Sequence, residues 1–245
     1  MTVLIGVRCT DGVVIGADSA ATSAAGNIHL LKLASDKIVI VGARVIVAGT
    51  GQIGLGQRFA EQVKQAHDAK LFQKSSIEVA KELAALGRKD FAQTGASMGT
   101  YGALVGAPAD GAGQLIEFAI ADFQPELKNG KIHFVAMGSG QMLAEPFMSF
   151  VDRTFWKSQA PKVKSALFGV HWALAHTIRC APGGVGDPIC LATLTNGKNG
   201  WHAELVSDDV LQEQREHMSA IEERIAGYKD EMLGSVEAVA VPQPK

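Results

Sequence analysis

Threonine 2 is the residue in this chain best equipped for chemistry. Removal of Met1 leaves it at the N-terminus, with a hydroxyl and a free α-amine on adjacent carbons. The amine has an ordinary pKa of about 7.7–8, so it can take a proton near neutral pH. A hydroxyl activated by its own terminal amine is a form of nucleophile-plus-base catalysis. The bland alternative is a residue merely exposed by loss of Met1. Four further features could serve such a nucleophile: Asp18 at the end of an apolar run, Lys37 at the start of another, the turn Gly49-Thr50-Gly51, and Gly138-Ser139-Gly140.

Each has a plain reading beside the chemical one. Asp18 is a solvated strand-end acid or the partner of a lysine. Lys37 is a surface lysine or the cation of that pair, which would lower the pKa of nearby donors and help move a proton. Ser139 or a neighbour caps a helix, or its hydroxyl bonds the terminal amine. Gly49-Thr50-Gly51-Gln52-Ile53-Gly54 matches the dinucleotide string GxGxxG. The elements before it read as hairpins, and no strand ending in an acid follows about 20 residues on. Bare N–H groups offered to an oxyanion suit it better. The histidines show no zinc spacing such as HExxH.

The elements that must position these residues alternate in blocks. Residues 2–8 and 13–18 are β-branched runs joined at Asp11-Gly12, a hairpin signal, and 37–41 and 44–48 form a second pair. Residues 53–72 and 77–91 have helical periodicity, with Ser75 or Ser76 as N-cap of the second. Strands at 99–107, 114–123 and 132–137 follow, then helices at 142–156 and 162–179. The loop 181–188 leads to strands at 189–195 and 201–206, a charged helix at 208–232 and a tail at 234–245. Strands in runs, then helices in runs, predict antiparallel sheets covered by helices. The expected fold is α+β, a four-layer αββα sandwich over residues 1–233, with a flexible tail beyond.

Composition narrows the partners. A formal charge of −2 lacks the basic excess of a nucleic-acid binder. Three widely spaced cysteines point to reduced thiols in the cytoplasm. No run approaches the roughly 20 apolar residues that span a bilayer, and no targeting segment is visible.

The opening Thr2-Val3-Leu4-Ile5-Gly6-Val7-Arg8-Cys9-Thr10-Asp11-Gly12-Val13-Val14-Ile15-Gly16-Ala17-Asp18 and the features above resemble the proteasome β-subunit family of N-terminal nucleophile hydrolases. Within it, the extension past residue 208 and the insertion near 23–33 look most like the betaproteobacterial branch. The bacterial heat-shock-locus subunit is similar too, and the ancestral β-subunit branch fits less well. The resemblance implies a threonine endopeptidase. Thr2 would be the nucleophile, Asp18 the buried acid, Lys37 the lysine and Ser139 the Gly-Ser-Gly serine. Ala48-Gly49 would be the turn whose Gly49 N–H meets the oxyanion. Thr22 would pair with bound substrate, and Ala21, Val47 and Gly51 would line its side-chain pocket. His29 and Lys32 compete with Lys37 for the lysine's place, and Asp187 sits where a late acid is expected. The resemblance implies no metal or other cofactor, polypeptide substrates, and self-association into stacked rings, a tetradecamer or dodecamer. The outer side of the helices at 53–91 would be the contact between rings. An ATP-dependent unfoldase partner stays open. So do two rivals: a catalytically silent ring subunit, and a small-molecule amidase of the same superfamily.

Overall fold

β1 (Leu4–Arg8) and β2 (Gly12–Asp18) are apolar nearly throughout, and every residue of β2 is buried. Continuous rather than alternating hydrophobicity marks a strand covered on both faces, and both faces here are covered. In this computed structural model, residues 2–25, 28–181 and 185–234 are described, without the side chains of 21–34, 230, 233 and 234. They form two units, Met1–Val206 and Ser207–Lys245.

The first unit holds two five-stranded antiparallel sheets. One adds β10 (Phe134–Met137), β11 (Ile189–Gly197) and β12 (Gly200–Leu205) to β1 and β2, in the order β10-β1-β2-β11-β12. The other runs in chain order: β5 (Ile38–Val41), β6 (Val45–Gly51), β7 (Tyr101–Ala109), β8 (Ala112–Phe118) and β9 (Pro125–Leu127). Leu4, Val13 and Ile15 of the first sheet pack on Ile46, Leu104 and Leu115 of the second. On the far side of the second sheet lie α1 (Ile53–Asp68) and α2 (Ser76–Thr94), whose Phe59, Val63, Leu83 and Phe91 close a second core. Outside the first sheet lie α3 (Gln141–Val151) and α4 (Val163–Cys180). A methyl group added at Gly16 of β2 would strike Val170 and Leu174 of α4, so a glycine lets that helix seat closely. The architecture is the expected four-layer αββα sandwich.

The Asp11-Gly12 signal marks a real hairpin for a different reason. Gly12 opens β2, and a Cβ there would stand 2.0 Å from the Leu194 carbonyl of β11. Asp11 meanwhile accepts the Val163 N–H at 2.8 Å and so satisfies the first turn of α4. Ser75 is the α2 N-cap, in a capping box with Glu78.

Several boundaries differ from expectation. The run 53–72 breaks after Asp68, where Lys70 turns left-handed before a short 3-10 turn, Leu71–Gln73. The run 142–156 becomes a π-helical turn at Asp152–Trp156. A hairpin of β3 (Ala20–Ala25) and β4 (Ile28–Ala34) occupies the stretch read only as an insertion. The outer side of α1 and α2 is not the apolar surface expected. Its exposed large apolar residues are Ile53 and Ile77, whereas Met142, Leu143, Phe150 and Phe155 stand exposed on α3 and the π turn. In the second unit α5 runs from Asp208 to Gly234, two residues past its expected end.

Candidate active site

Thr2 stands just before β1 and is nearly buried, at 8 % exposed. The turn after β10 clasps it. Ser139 Oγ accepts the Thr2 N–H at 3.1 Å and donates to the Thr2 carbonyl at 3.4 Å, and Gly140 N–H reaches the same carbonyl at 3.1 Å. The glycines on either side make this possible. Gly138 has φ +89°, and a Cβ there would lie 2.4 Å from the Thr2 oxygen, while one at Gly140 would lie 2.7 Å from Val3 Cβ. Ser139 is not the cap of α3: the N-cap is its neighbour Gly140, without a side-chain cap hydrogen bond.

Asp18 ends β2 beneath Thr2 and is fully buried. Its Oδ1 accepts Val3 N–H at 2.9 Å and the Lys37 ammonium at 2.6 Å, and its Oδ2 accepts Ala20 N–H at 3.2 Å and Gly186 N–H at 3.1 Å. A buried carboxylate needs this many donors, because desolvation penalises an unpaired charge heavily. Burial pulls the Lys37 pKa below its ordinary value, and the hydrogen bond and charge of Asp18 oppose that shift. Thr2, Lys37 and Ser139 thus converge through one chain of contacts: Ser139 to Thr2, Val3 to Asp18, Asp18 to Lys37.

The glycine segment is arranged differently from the expectation. Ala48 and Gly49 lie inside β6, paired with Leu104 and Ala103 of β7. Gly49 N–H is engaged by the Lys37 carbonyl at 3.3 Å. Alternate N–H groups of a strand share one edge, so Gly51 N–H faces the edge that Gly49 uses. β5 begins only at Ile38, opposite Ala48, so no residue of β5 stands opposite Gly51 on that edge. Gly51 has φ +110°, and a Cβ there would lie 2.1 Å from the Thr100 carbonyl. Only glycine fits this bend.

Thr2, Lys37, Gly49, Thr50 and Gly51 border one cleft of about 550 Å³. Val47 lies on its wall, with Tyr101 below. Ala21 and Thr22 fall in β3, where their side chains lie outside the described residues, as do those of His29 and Lys32 in β4. Asp187 is exposed; its loop reaches the site through the backbone of Gly186. Sequence reasoning missed Gly186, the Val3 and Ala20 amides and Tyr101, because backbone donors and pocket floors carry no motif. Among the described residues no cluster of three His, Cys, Asp or Glu is placed to hold a metal, and no helix is long and apolar enough to cross a membrane.

A sandwich of this layering, with a threonine heading its first strand at the mouth of a cleft, is an N-terminal nucleophile hydrolase fold. The model of the proteasome subunit family matches residues 2–155, and the chain belongs to that family. No curated protein sequence matches it significantly. Solved structures share the fold. The Anbu (ancestral beta-subunit) protein of Yersinia bercovieri superimposes with a TM-score of 0.69 at 14 % identity, covering 99 % of each chain. The helical assembly of the Anbu complex from Pseudomonas aeruginosa gives 0.67 at 18 % identity, covering 99 % of this chain and 98 % of that one. Anbu from Hyphomicrobium sp. strain MC1 gives 0.69 at 14 %. These neighbours come from the branch that the sequence resembled less, and at such identity they show the fold alone.

Proposed function

We propose that this chain is a threonine endopeptidase subunit of a self-associating, proteasome-like particle. The observation that carries the reading is the Ser139–Thr2 clasp beside the buried Asp18–Lys37 pair at 2.6 Å, with Thr2 and Lys37 bordering one cleft. Loss of Met1 turns the Thr2 nitrogen into an amine, still within reach of Ser139 Oγ. Thr2 Oγ then attacks a peptide carbonyl while its proton passes to that amine. The Lys37 cation favours the alkoxide character that develops on Oγ. We assign the oxyanion donor to Gly51 N–H rather than Gly49, whose N–H is occupied. The amine returns the proton to the leaving nitrogen, and water hydrolyses the ester on Thr2. Ala21, Thr22 and Val47 would contact the bound peptide.

Rings would bury the apolar side chains left exposed on α3 and the π turn, a tetradecamer or dodecamer being the expected assembly. Cys9, Cys180 and Cys190, none of them in a disulfide, suit a reducing, cytoplasmic compartment.

A peptide epoxyketone tests the reading, because it needs both the hydroxyl and the free amine of a terminal threonine. Intact mass should show one adduct per chain on protein lacking Met1, and none on Thr2→Ala. An unlabelled, correctly processed and assembled protein would make the chain a silent structural subunit.

A further inference from the structure

The cleft ends on a buried phenol. Tyr101 is 2 % exposed, and its ring is wedged among Phe59, Phe91 and Phe123. The hydroxyl leaves that cluster on the cleft side. A methyl group added at Gly49 would stand 2.4 Å from Tyr101 Oη, and one added at Gly56 would stand 3.6 Å away. Both glycines border the cleft, so the absence of two side chains uncovers the hydroxyl. No hydrogen bond reaches Tyr101 Oη from any described residue. The oxygen is not among the buried polar atoms left without a partner, so it meets the cleft itself, where a bound group could pair with it. The walls above it include Val39, Val47, Ile53 and Ala60. Burial pushes the Tyr101 pKa up, so the hydroxyl stays a neutral donor.

We propose that Tyr101 Oη reads the substrate side chain on the acyl side of the cut bond, selecting a long side chain with an apolar stem and a neutral oxygen at its tip, such as tyrosine or glutamine. The assignment rests on the endopeptidase reading. The apolar walls take the stem, and the hydroxyl donates to the tip. A carboxylate tip would accept the same bond but must shed its water against Val39, Val47, Ile53 and Ala60, and Lys37, the one cation among the described lining residues, already pairs with Asp18. A purely apolar tip leaves the hydroxyl unpaired, the situation in which sites built around a hydrogen bond discriminate most strongly.

Matched fluorogenic peptides test this, one pair differing only as tyrosine against phenylalanine at that position, a second as glutamine against norleucine. The ratio of kcat/KM within each pair should favour the oxygen-tipped member by about tenfold or more. Tyr101→Phe keeps the ring and should bring both ratios close to one, with thermal unfolding as the control for folding. A wild-type ratio near one, or a preference that survives in Tyr101→Phe, overturns the assignment and leaves the peptidase reading standing. Turnover of no peptide at all overturns both.

Discussion

Gly49 donates its N–H to the carbonyl of Lys37 at 3.3 Å. That bond joins the backbone of Lys37 to the strand that borders the cleft, and the next N–H on the same edge is that of Gly51, which also borders the cleft.

Gly51→Ala should therefore cripple turnover. Its Cβ would meet the Thr100 carbonyl at 2.1 Å in a backbone region that L side chains rarely adopt. The N–H must shift, and misplacing an oxyanion donor costs about 10²–10³ in kcat. Steady-state kinetics should show kcat falling with little change in KM. A wild-type kcat would remove Gly51 from the reaction.

Asp18→Asn should destabilise the fold by about 3–5 kcal/mol, because it leaves the Lys37 cation in a buried site without its counter-charge. Combining it with Lys37→Met should recover much of that loss in urea unfolding, yet restore no peptidase activity. Recovery of activity in the double variant would show that the ion pair only holds the fold.

The pH profile of kcat/KM should be a bell. On the acid side the rate rises as the Thr2 amine loses its proton, around its ordinary pKa of about 7.7–8. On the alkaline side it falls as Lys37 loses its own, below the usual lysine range because burial depresses that pKa. Stability moves the opposite way with this group. The unfolded chain holds the lysine proton more tightly than the folded one, so unfolding free energy rises with pH between the lowered pKa and the ordinary 10.5. Lys37→Arg should push the alkaline limb upward; an unmoved limb would assign it to another group.

Ser139→Ala removes the hydroxyl that both accepts from Thr2 N–H and donates to its carbonyl. A net hydrogen bond is worth about 0.5–1.5 kcal/mol, so epoxyketone labelling should slow up to about tenfold while thermal unfolding moves little. An unchanged labelling rate would show that the Gly140 N–H alone orients Thr2.

The layers were legible because the hydrophobic pattern changes period where the chain changes element. β2 reads as an unbroken apolar run, and α1 repeats Phe59, Val63 and Ala66 on one face. Thr2, Asp18, Lys37 and Ser139 were legible as residue types at the ends of such runs. Which glycine N–H is left open to the cleft was not. Gly49 and Gly51 are the same letter two positions apart, and only the pairing of β5 with β6 tells which N–H is occupied. The β3–β4 hairpin was missed because Ala20–Ala25 is built of small residues with weak strand preference. Tyr101 was missed because a pocket floor is set by the absence of side chains at Gly49 and Gly56, which no local pattern announces.

The clasp on Thr2 spans 137 residues of chain. A ribosome delivers Thr2, Asp18 and Lys37 long before Ser139, and Gly186 comes later still. Throughout that interval Thr2 has no Ser139 hydroxyl beside it, and Asp18 lacks one of its four donors. The order of synthesis therefore leaves Thr2 unclasped until the turn after β10 has been made, and Asp18 short of a donor until the loop before β11 has followed it.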